Sequence, residues 1–304
     1  MKKIVFPCTN RVHLARQQLL LEELREHFDV DVFKPTTKQE GGMSVFAILC
    51  AIEFNNFLNG KNYDAVLIRG DRFEMLGLAM MASYRGIKLA HLEAGDLSGV
   101  IDNKVRHAIT HLSDFHFPTN EESHSRLISM GVSPRKVWNF GSLDVEFAAS
   151  TPPKKLREKH YIVTAYHPVP DESMHEVAEA MHNFKNLGTH EVVNIVSNSD
   201  YGKSYGEENY GPEDYINLLR FADCCVGNSS SFLKEASILG TAVVNVGARQ
   251  EKRLKPRNVV SVLCHKDAIL RAIQFQIGNK YDSDFTYFNG VTSHSIANQL
   301  AKLI

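Results

Sequence analysis

Cysteine is scarce and scattered: the five in 304 residues are Cys8, Cys50, Cys224, Cys225 and Cys264, and no two make a C-x-x-C pair. An odd, dispersed set excludes a disulfide framework and a zinc knuckle. It reads as small buried hydrophobes in a reducing compartment. Excess charge is also missing, with 34 Lys+Arg against 35 Asp+Glu. Such a balance gives no general electrostatic grip on nucleic acid or on an anionic membrane. Long apolar runs are absent as well. The one after Met1-Lys2-Lys3 stops at Pro7, too short for the hydrophobic region of a signal peptide, and none approaches a membrane span. The expectation is a cytoplasmic protein with neither nucleic acid nor membrane as partner. Four nucleotide, nucleophile and metal signatures are missing too: G-x-G-x-x-G after the first apolar run, a Walker A loop, a G-x-S-x-G elbow and H-E-x-x-H. A nicotinamide, a flavin and an obligatory metal are therefore not expected.

What is present is alternation. Apolar residues make up 43% of the chain and mean hydropathy is −0.22, enough for two cores in a chain of this length. Ile4-Val5-Phe6, Val30-Asp31-Val32-Phe33, Ala65-Val66-Leu67-Ile68, Ile87-Lys88-Leu89-Ala90, Phe115-His116-Phe117 and Val137-Trp138-Asn139-Phe140 read as strands. Between them, helical patterns run over 11–27, 44–58, 75–84 and 121–130. Mostly continuous apolar strands, each followed by a helix, predict a parallel sheet covered on both faces. Thr151-Pro152-Pro153-Lys154-Lys155 is a prolyl, charged connector, after which the alternation restarts at Tyr161-Ile162-Val163-Thr164. It continues through Val192-Val193-Asn194-Ile195, Cys224-Cys225-Val226 and Ala242-Val243-Val244. The fold class is α/β, with two Rossmann-like domains and a cleft between them. Residues 1–150 form the first domain and 151–290 the second, and 291–304 hold a helix that crosses back onto the first.

In such folds ligands meet the loops that follow the strands. Asp71 lies after Ile68, Glu93 after Ala90, and Asp102 shortly beyond. A single loop carboxylate is more often a helix cap or an arginine partner than a proton shuttle, by about two to one. Three at successive strand ends shift the balance toward acid–base chemistry. In the second half, Gly227-Asn228-Ser229-Ser230-Ser231 opens a helix expected from Phe232 to Leu239. Ser229, Ser230 and Ser231 suit an anion or a ribose, with simple N-capping as the common alternative. Glu235 lies four residues beyond Ser231 and would share its helical face, where it can accept from sugar hydroxyls. Arg249 and Arg253 suit a diphosphate, against the usual solvated charge run. His167, beside Pro168 after another strand, is either an acid–base group or a structural histidine.

Taken in order, these segments resemble the UDP-N-acetylglucosamine 2-epimerase family. The resemblance rests on Thr9-Asn10-Arg11, Gly70-Asp71-Arg72-Phe73-Glu74, His91-Leu92-Glu93-Ala94-Gly95 and the run from Ile101 to Ile109. It continues through Ser197-Asn198-Ser199-Asp200-Tyr201-Gly202, Gly227 to Ser231, and Asn245-Val246-Gly247-Ala248-Arg249-Gln250. Ile101–Ile109 and Ser229–Gln250 read like the hydrolysing branch, whereas H-L-E-A-G reads like the non-hydrolysing one. Asp102 stands where non-hydrolysing members tend to have glutamate, and the stretch from His167 to Asn198 is shorter than in typical members.

The resemblance implies a GT-B-like fold working without a cofactor or obligatory metal, as a homodimer or larger oligomer. It places Asp71, Glu93, Asp102 and His167 around the sugar, and Arg11, Ser229, Ser230, Ser231, Glu235, Arg249 and Arg253 at the nucleotide. The reaction it implies converts UDP-N-acetylglucosamine to N-acetylmannosamine and UDP through a 2-acetamidoglycal, supplying sialic-acid-like or other surface sugars. The competing readings are a non-hydrolysing 2-epimerase, a GT-B glycosyltransferase, and a nucleotide-sugar-binding protein without turnover.

Overall fold

The structure is a computed structural model that describes residues 1–9, 11–37, 42–97, 102–169, 172–196, 206 and 208–304, with the side chains of 11–13 left aside. Its contacts divide the chain into two units, Met1–Glu146 with Tyr287–Ile304, and Phe147–Thr286.

In the first unit the strands are β1 (Lys3–Pro7), β2 (Asp29–Phe33), β3 (Ala65–Arg69), β4 (Lys88–Leu92) and β5 (Phe115–Phe117). They form one sheet in the order β2-β1-β3-β4-β5, every pairing parallel. The helices are α1 (Arg11–Arg16), α2 (Gln18–Arg25), α3 (Met43–Leu58), α4 (Phe73–Tyr84), α5 (Asp102–Leu112) and α6 (Glu121–Ser129). The division between units falls inside α7 (Leu143–Ser150). Successive strand side chains point to opposite faces. Ile4, Phe6 and Leu67 accordingly pack on one side against Leu20, Leu21 and Leu24 of α2. Val5, Val66 and Ile68 pack on the other against Phe54 of α3, Leu78 of α4 and Ile109 of α5. The last helix, α13 (Thr292–Leu303), joins the first of these cores through Ile296, Ala297 and Leu300.

The second unit repeats the plan with β6 (Tyr161–Ala165), β7 (Glu191–Asn194), β8 (Cys224–Gly227), β9 (Val243–Val246) and β10 (Val259–Val262). Its order is β10-β9-β8-β6-β7, again wholly parallel. Counted from the first strand of each unit, both sheets have the same doubly wound order, with the switch point between β1 and β3 in one and between β6 and β8 in the other. Helices α8 (Met174–Lys185), α9 (Pro212–Phe221), α10 (Ser230–Leu233), α11 (Glu235–Ile238) and α12 (Lys266–Gln276) complete the unit. The result is two Rossmann-like α/β domains. No helix among the described residues is long and apolar enough to cross a membrane.

Local readings differ from the structure in four places. The helix expected over 11–27 is interrupted at Gln17, where φ −107 and ψ 6 separate α1 from α2. The strand expected at Val137–Phe140 makes only an isolated bridge from Val137 to His116. There Trp138 stacks on Phe117 with Phe140 tilted against the same ring, and Gly141, at φ 89, turns the chain to bridge Phe288. The helix expected over 232–239 is broken at Lys234 (φ −91, ψ −71) into α10 and α11. β10, which carries no continuous buried run, was not foreseen; it is a half-exposed edge strand.

Candidate active site

The turn after β3 and the turn after β4 lie side by side, because Gly70 N–H donates to the Leu92 carbonyl at 2.9 Å. Gly70 adopts φ 72, and a Cβ there would stand 3.9 Å from Glu93 Oε2, so the Glu93 carboxylate reaches over it. Glu93 is the non-glycine residue with positive φ among the described residues, at 61°. A long side chain in the left-handed region costs about 1 kcal/mol or more and persists where surrounding contacts impose it. Here they are identifiable. Glu93 N–H donates to the Phe117 carbonyl at 2.8 Å, and buried Arg69 donates to Glu93 Oε1 at 2.8 Å. Arg69 also pairs with Asp144 at 2.8 Å.

Asp71 is held in a parallel way. Arg106 of α5, 3% exposed, donates through Nη2 to Asp71 Oδ2 and through Nη1 to the Asp96 carbonyl at 2.7 Å. Asp102 is the half-buried first residue of the same helix, where a carboxylate suits the helix dipole. Glu74, fully buried, accepts from Thr9 Oγ1 and Arg72 Nε, each at 2.6 Å. The unit thus brings Asp71 and Glu93 to adjacent strand ends, each on its own buried guanidinium, with Asp102 opening the helix that supplies one of them.

His91 has a different task. It is fully buried, and that burial drives its pKa down to about 3, with the Gly70 carbonyl opposing the shift. The ring is therefore uncharged at neutral pH. Nε2 lies 2.9 Å from the Gly70 carbonyl and so must carry the proton, which leaves Nδ1 to accept from Thr110 Oγ1 at 3.2 Å. It is a strut that ties β4, α5 and the Gly70 turn together.

In the second unit the organising residue is Asn228, which follows β8. Its Oδ1 accepts from His167 N–H at 2.6 Å, and its Nδ2 donates to the His167 carbonyl at 2.8 Å. Arg249 Nη1 (3.0 Å) and Gln250 Nε2 (2.8 Å) both donate to the Asn228 carbonyl. Arg253 is tied in behind through Gln250 Oε1 at 2.8 Å. Three strand ends, those of β6, β8 and β9, are thereby locked to one asparagine, with His167, Arg249 and Arg253 around it. His167 is half-buried, and burial first and Arg249 second lower its pKa to about 3. Close approach of the strands requires Gly227: its φ is 143, and a Cβ there would run into the Ala165 carbonyl.

The serines divide. Ser229 and Ser231 are buried and hydrogen-bonded to each other at 2.8 Å, with Tyr215 OH 2.5 Å from Ser231. Ser229 makes no side-chain cap of α10, so ordinary N-capping does not account for it. Ser230 is half-buried. Glu235 is 2% exposed at the start of α11 and no longer shares a continuous helix with Ser231. Arg11 begins α1, but its side chain lies outside the described residues, as do Asn10, Ile101 and residues 197–202.

A family model described as UDP-N-acetylglucosamine 2-epimerase matches residues 12–301. The chain belongs to that family. The polysialic acid biosynthesis protein P7 of Escherichia coli is 33% identical over 266 residues, 77% of this chain and 68% of that one. A hydrolysing UDP-N,N'-diacetylbacillosamine 2-epimerase of Legionella pneumophila is 31% identical over 285 residues, 83% of this chain and 74% of its own length. Among solved structures, the UDP-GlcNAc 2-epimerase of Methanocaldococcus jannaschii in complex with UDP-GlcNAc and UDP superposes with a TM-score of 0.81. That match covers 99% of this chain and 100% of the other at 16% identity, a likeness of GT-B-like fold.

For this epimerase-family enzyme, sequence reasoning named the charged groups but missed what holds them. Arg69, Arg106, Asn228 and Gln250 all lie in or beside the segments singled out, yet none was assigned a role. Arg69 and Asn228 stand directly at strand ends and Arg106 lies in the early part of α5, a placement visible in the sequence, whereas Gln250 lies in a turn four residues beyond β9 and carries no such signal.

Proposed function

We propose that this chain is a hydrolysing 2-epimerase of a UDP-linked N-acetyl amino sugar, with UDP-N-acetylglucosamine as substrate and N-acetylmannosamine and UDP as products. The observation that carries the reading is Glu93, held in a left-handed conformation beside Gly70 by buried Arg69 and next to the Arg106-bound Asp71. Removing a weakly acidic C–H needs a carboxylate fixed in place in advance, which is what such imposed geometry provides.

In the first step a carboxylate of the group Asp71, Glu93 and Asp102 takes the C2 proton. The C–H electrons form the C1=C2 bond while the C1–O bond breaks and its pair leaves on UDP. In the second step water adds across the 2-acetamidoglycal, oxygen at C1 and a proton at C2 on the opposite face. Charge developing on the departing diphosphate is met by Arg249 and Arg253, with Arg11, Ser229, Ser230, Ser231 and Glu235 on the nucleotide side. His167, neutral at rest, donates a hydrogen bond without bringing a second charge against Arg249. The chain's relatives support the hydrolysing branch by name, the Legionella enzyme among them. The same reading includes a cytoplasmic homo-oligomer and a product that enters sialic-acid-like or other surface-sugar synthesis.

Proton NMR in deuterium oxide tests it, with UDP-N-acetylglucosamine beside diacetylated and GDP-linked analogues. The expected result is release of UDP and a free sugar deuterated at C2. An intact nucleotide-sugar with no deuterium at C2 across the panel would overturn the reading. The H-L-E-A-G segment favours one other outcome, accumulation of UDP-N-acetylmannosamine with no free sugar, which marks reversible epimerisation instead.

A further inference from the structure

At the opposite end of the second sheet from His167 and Asn228, three side chains with metal-binding chemistry converge. His160 immediately precedes β6, His190 precedes β7 and Asp223 precedes β8. Since these strands are neighbours in the order β8-β6-β7, their starts form one edge. His160 Nδ1 lies 3.0 Å from Asp223 Oδ2, and His190 Nε2 lies 3.7 Å from the same oxygen. One donor atom from each residue falls within 4.8 Å of the other two. Around a tetrahedral ion with bonds of about 2.0–2.1 Å, ligand atoms stand roughly 3.3–3.4 Å apart. The three groups are therefore close to ligating geometry.

Their supports are those of a prepared site. His190 Nδ1 is 2.9 Å from Thr189 Oγ1, which turns Nε2 toward Asp223, and its ring lies 5.7 Å from that of buried Phe184. A second hydrogen bond that fixes the orientation of a ligating imidazole is a regular feature of metal sites. Asp223 Oδ2 also accepts from Tyr161 N–H at 3.2 Å, and Asp223 N–H donates to the Tyr161 carbonyl at 2.9 Å. Glu191 N–H donates to the His160 carbonyl at 2.9 Å, so His160 and Asp223 sit on hydrogen-bonded backbone that continues the sheet, and His190 immediately precedes the strand β7. The histidine side chains differ in exposure, 77% for His160 and 15% for His190, which leaves room for an ion to enter from the His160 side. Lys159, the adjacent cation, is paired with Glu191 at 3.4 Å.

We propose that His160, His190 and Asp223 bind a divalent transition metal of the zinc class, with water completing the shell. Two imidazoles and one carboxylate suit zinc(II) and discriminate against magnesium and calcium, which prefer all-oxygen shells. The ion staples the starts of three adjacent strands. β6 is five residues long, so the site stands roughly 16 Å from the turn that carries His167. Its role is to stabilise the second unit, separately from the chemistry at the other edge.

The test uses the full chain without an affinity tag, stripped with chelator, titrated calorimetrically with zinc(II) and followed by thermal melting. One equivalent bound per chain and a raised melting temperature are expected, with no such rise from magnesium. His160→Gln and His190→Gln should each weaken zinc binding about tenfold or more, and the double variant should lose both the equivalent and the rise. The metal-free double variant should keep the circular dichroism spectrum and a single cooperative melting transition like those of the metal-free wild type, which shows that it folds. The proposal is overturned if no single equivalent binds, if magnesium stabilises equally, or if the double variant binds zinc as the wild type does. Because binding and melting are read directly, these outcomes are independent of whether the proposed epimerisation is correct.

Discussion

Glu93 and His91 are two residues apart, and the fold uses them in opposite ways. Glu93 accepts an unfavourable φ of 61° so that its carboxylate stands over Gly70, on the nitrogen of Arg69. Glu93→Gln keeps the shape and much of the hydrogen bonding but removes the basic oxygen. Its C2 exchange should fall by about 10²–10⁴-fold, the range of general acid–base contributions, while UDP binding measured by calorimetry stays unchanged. His91 instead gives up its charge. With a folded pKa of about 3 against an ordinary 6.5, it stays neutral in the native state at pH values where the unfolded chain takes up a proton. Its contribution is complete above about pH 6.5 and shrinks as the pH falls toward 3, by up to about 1.4 kcal/mol per pH unit. Urea denaturation between pH 7 and 5 should show that slope. His91→Gln, less stable at pH 7, should show a shallower one; identical slopes would refute the assignment.

At the scale of elements, the closest contact in the second sheet is where Gly227 meets the Ala165 carbonyl between β8 and β6. Gly227→Ala adds both a steric conflict with backbone and a poor φ of 143°. It should destabilise the protein by about 2–3 kcal/mol and loosen the Asn228 hub just beyond it, which thermal melting and UDP affinity would both register. This glycine could be seen in the sequence, but its reason could not, because the opposing carbonyl is 62 residues away. The same holds for Asn228. It lay inside a segment read for its serines, and its partners His167, Arg249 and Gln250 meet only when three strands are assembled. Strands such as Ala65–Arg69 were legible because they are apolar on both faces, a pattern independent of distant neighbours. The helix breaks at Gln17 and Lys234 were not, since neither site carries a proline or glycine to announce it. Three groups at 160, 190 and 223 show no local spacing either, and become a cluster only through the order of β7, β6 and β8.

Across the whole molecule, the first unit is built from both ends of the chain while the second is one continuous stretch, 147–286. Leu300 is fully buried in the core that also holds Leu20, Leu21 and Leu24. Leu300→Ala should cost about 2–5 kcal/mol, and the loss should fall on one unit. Hydrogen exchange should quicken in β1, β2 and α2 and remain unchanged in β6, β8 and β9; equal acceleration in both sheets would show that the units do not unfold separately. The split also sets an order of assembly during synthesis. The second unit can close as soon as its own residues have left the ribosome. The first, made earlier, keeps the part of its core that Ile296, Ala297 and Leu300 fill open until those residues emerge. The half of the enzyme that is translated first is thus the half that matures last, and it is the half in need of protection from aggregation in the interval.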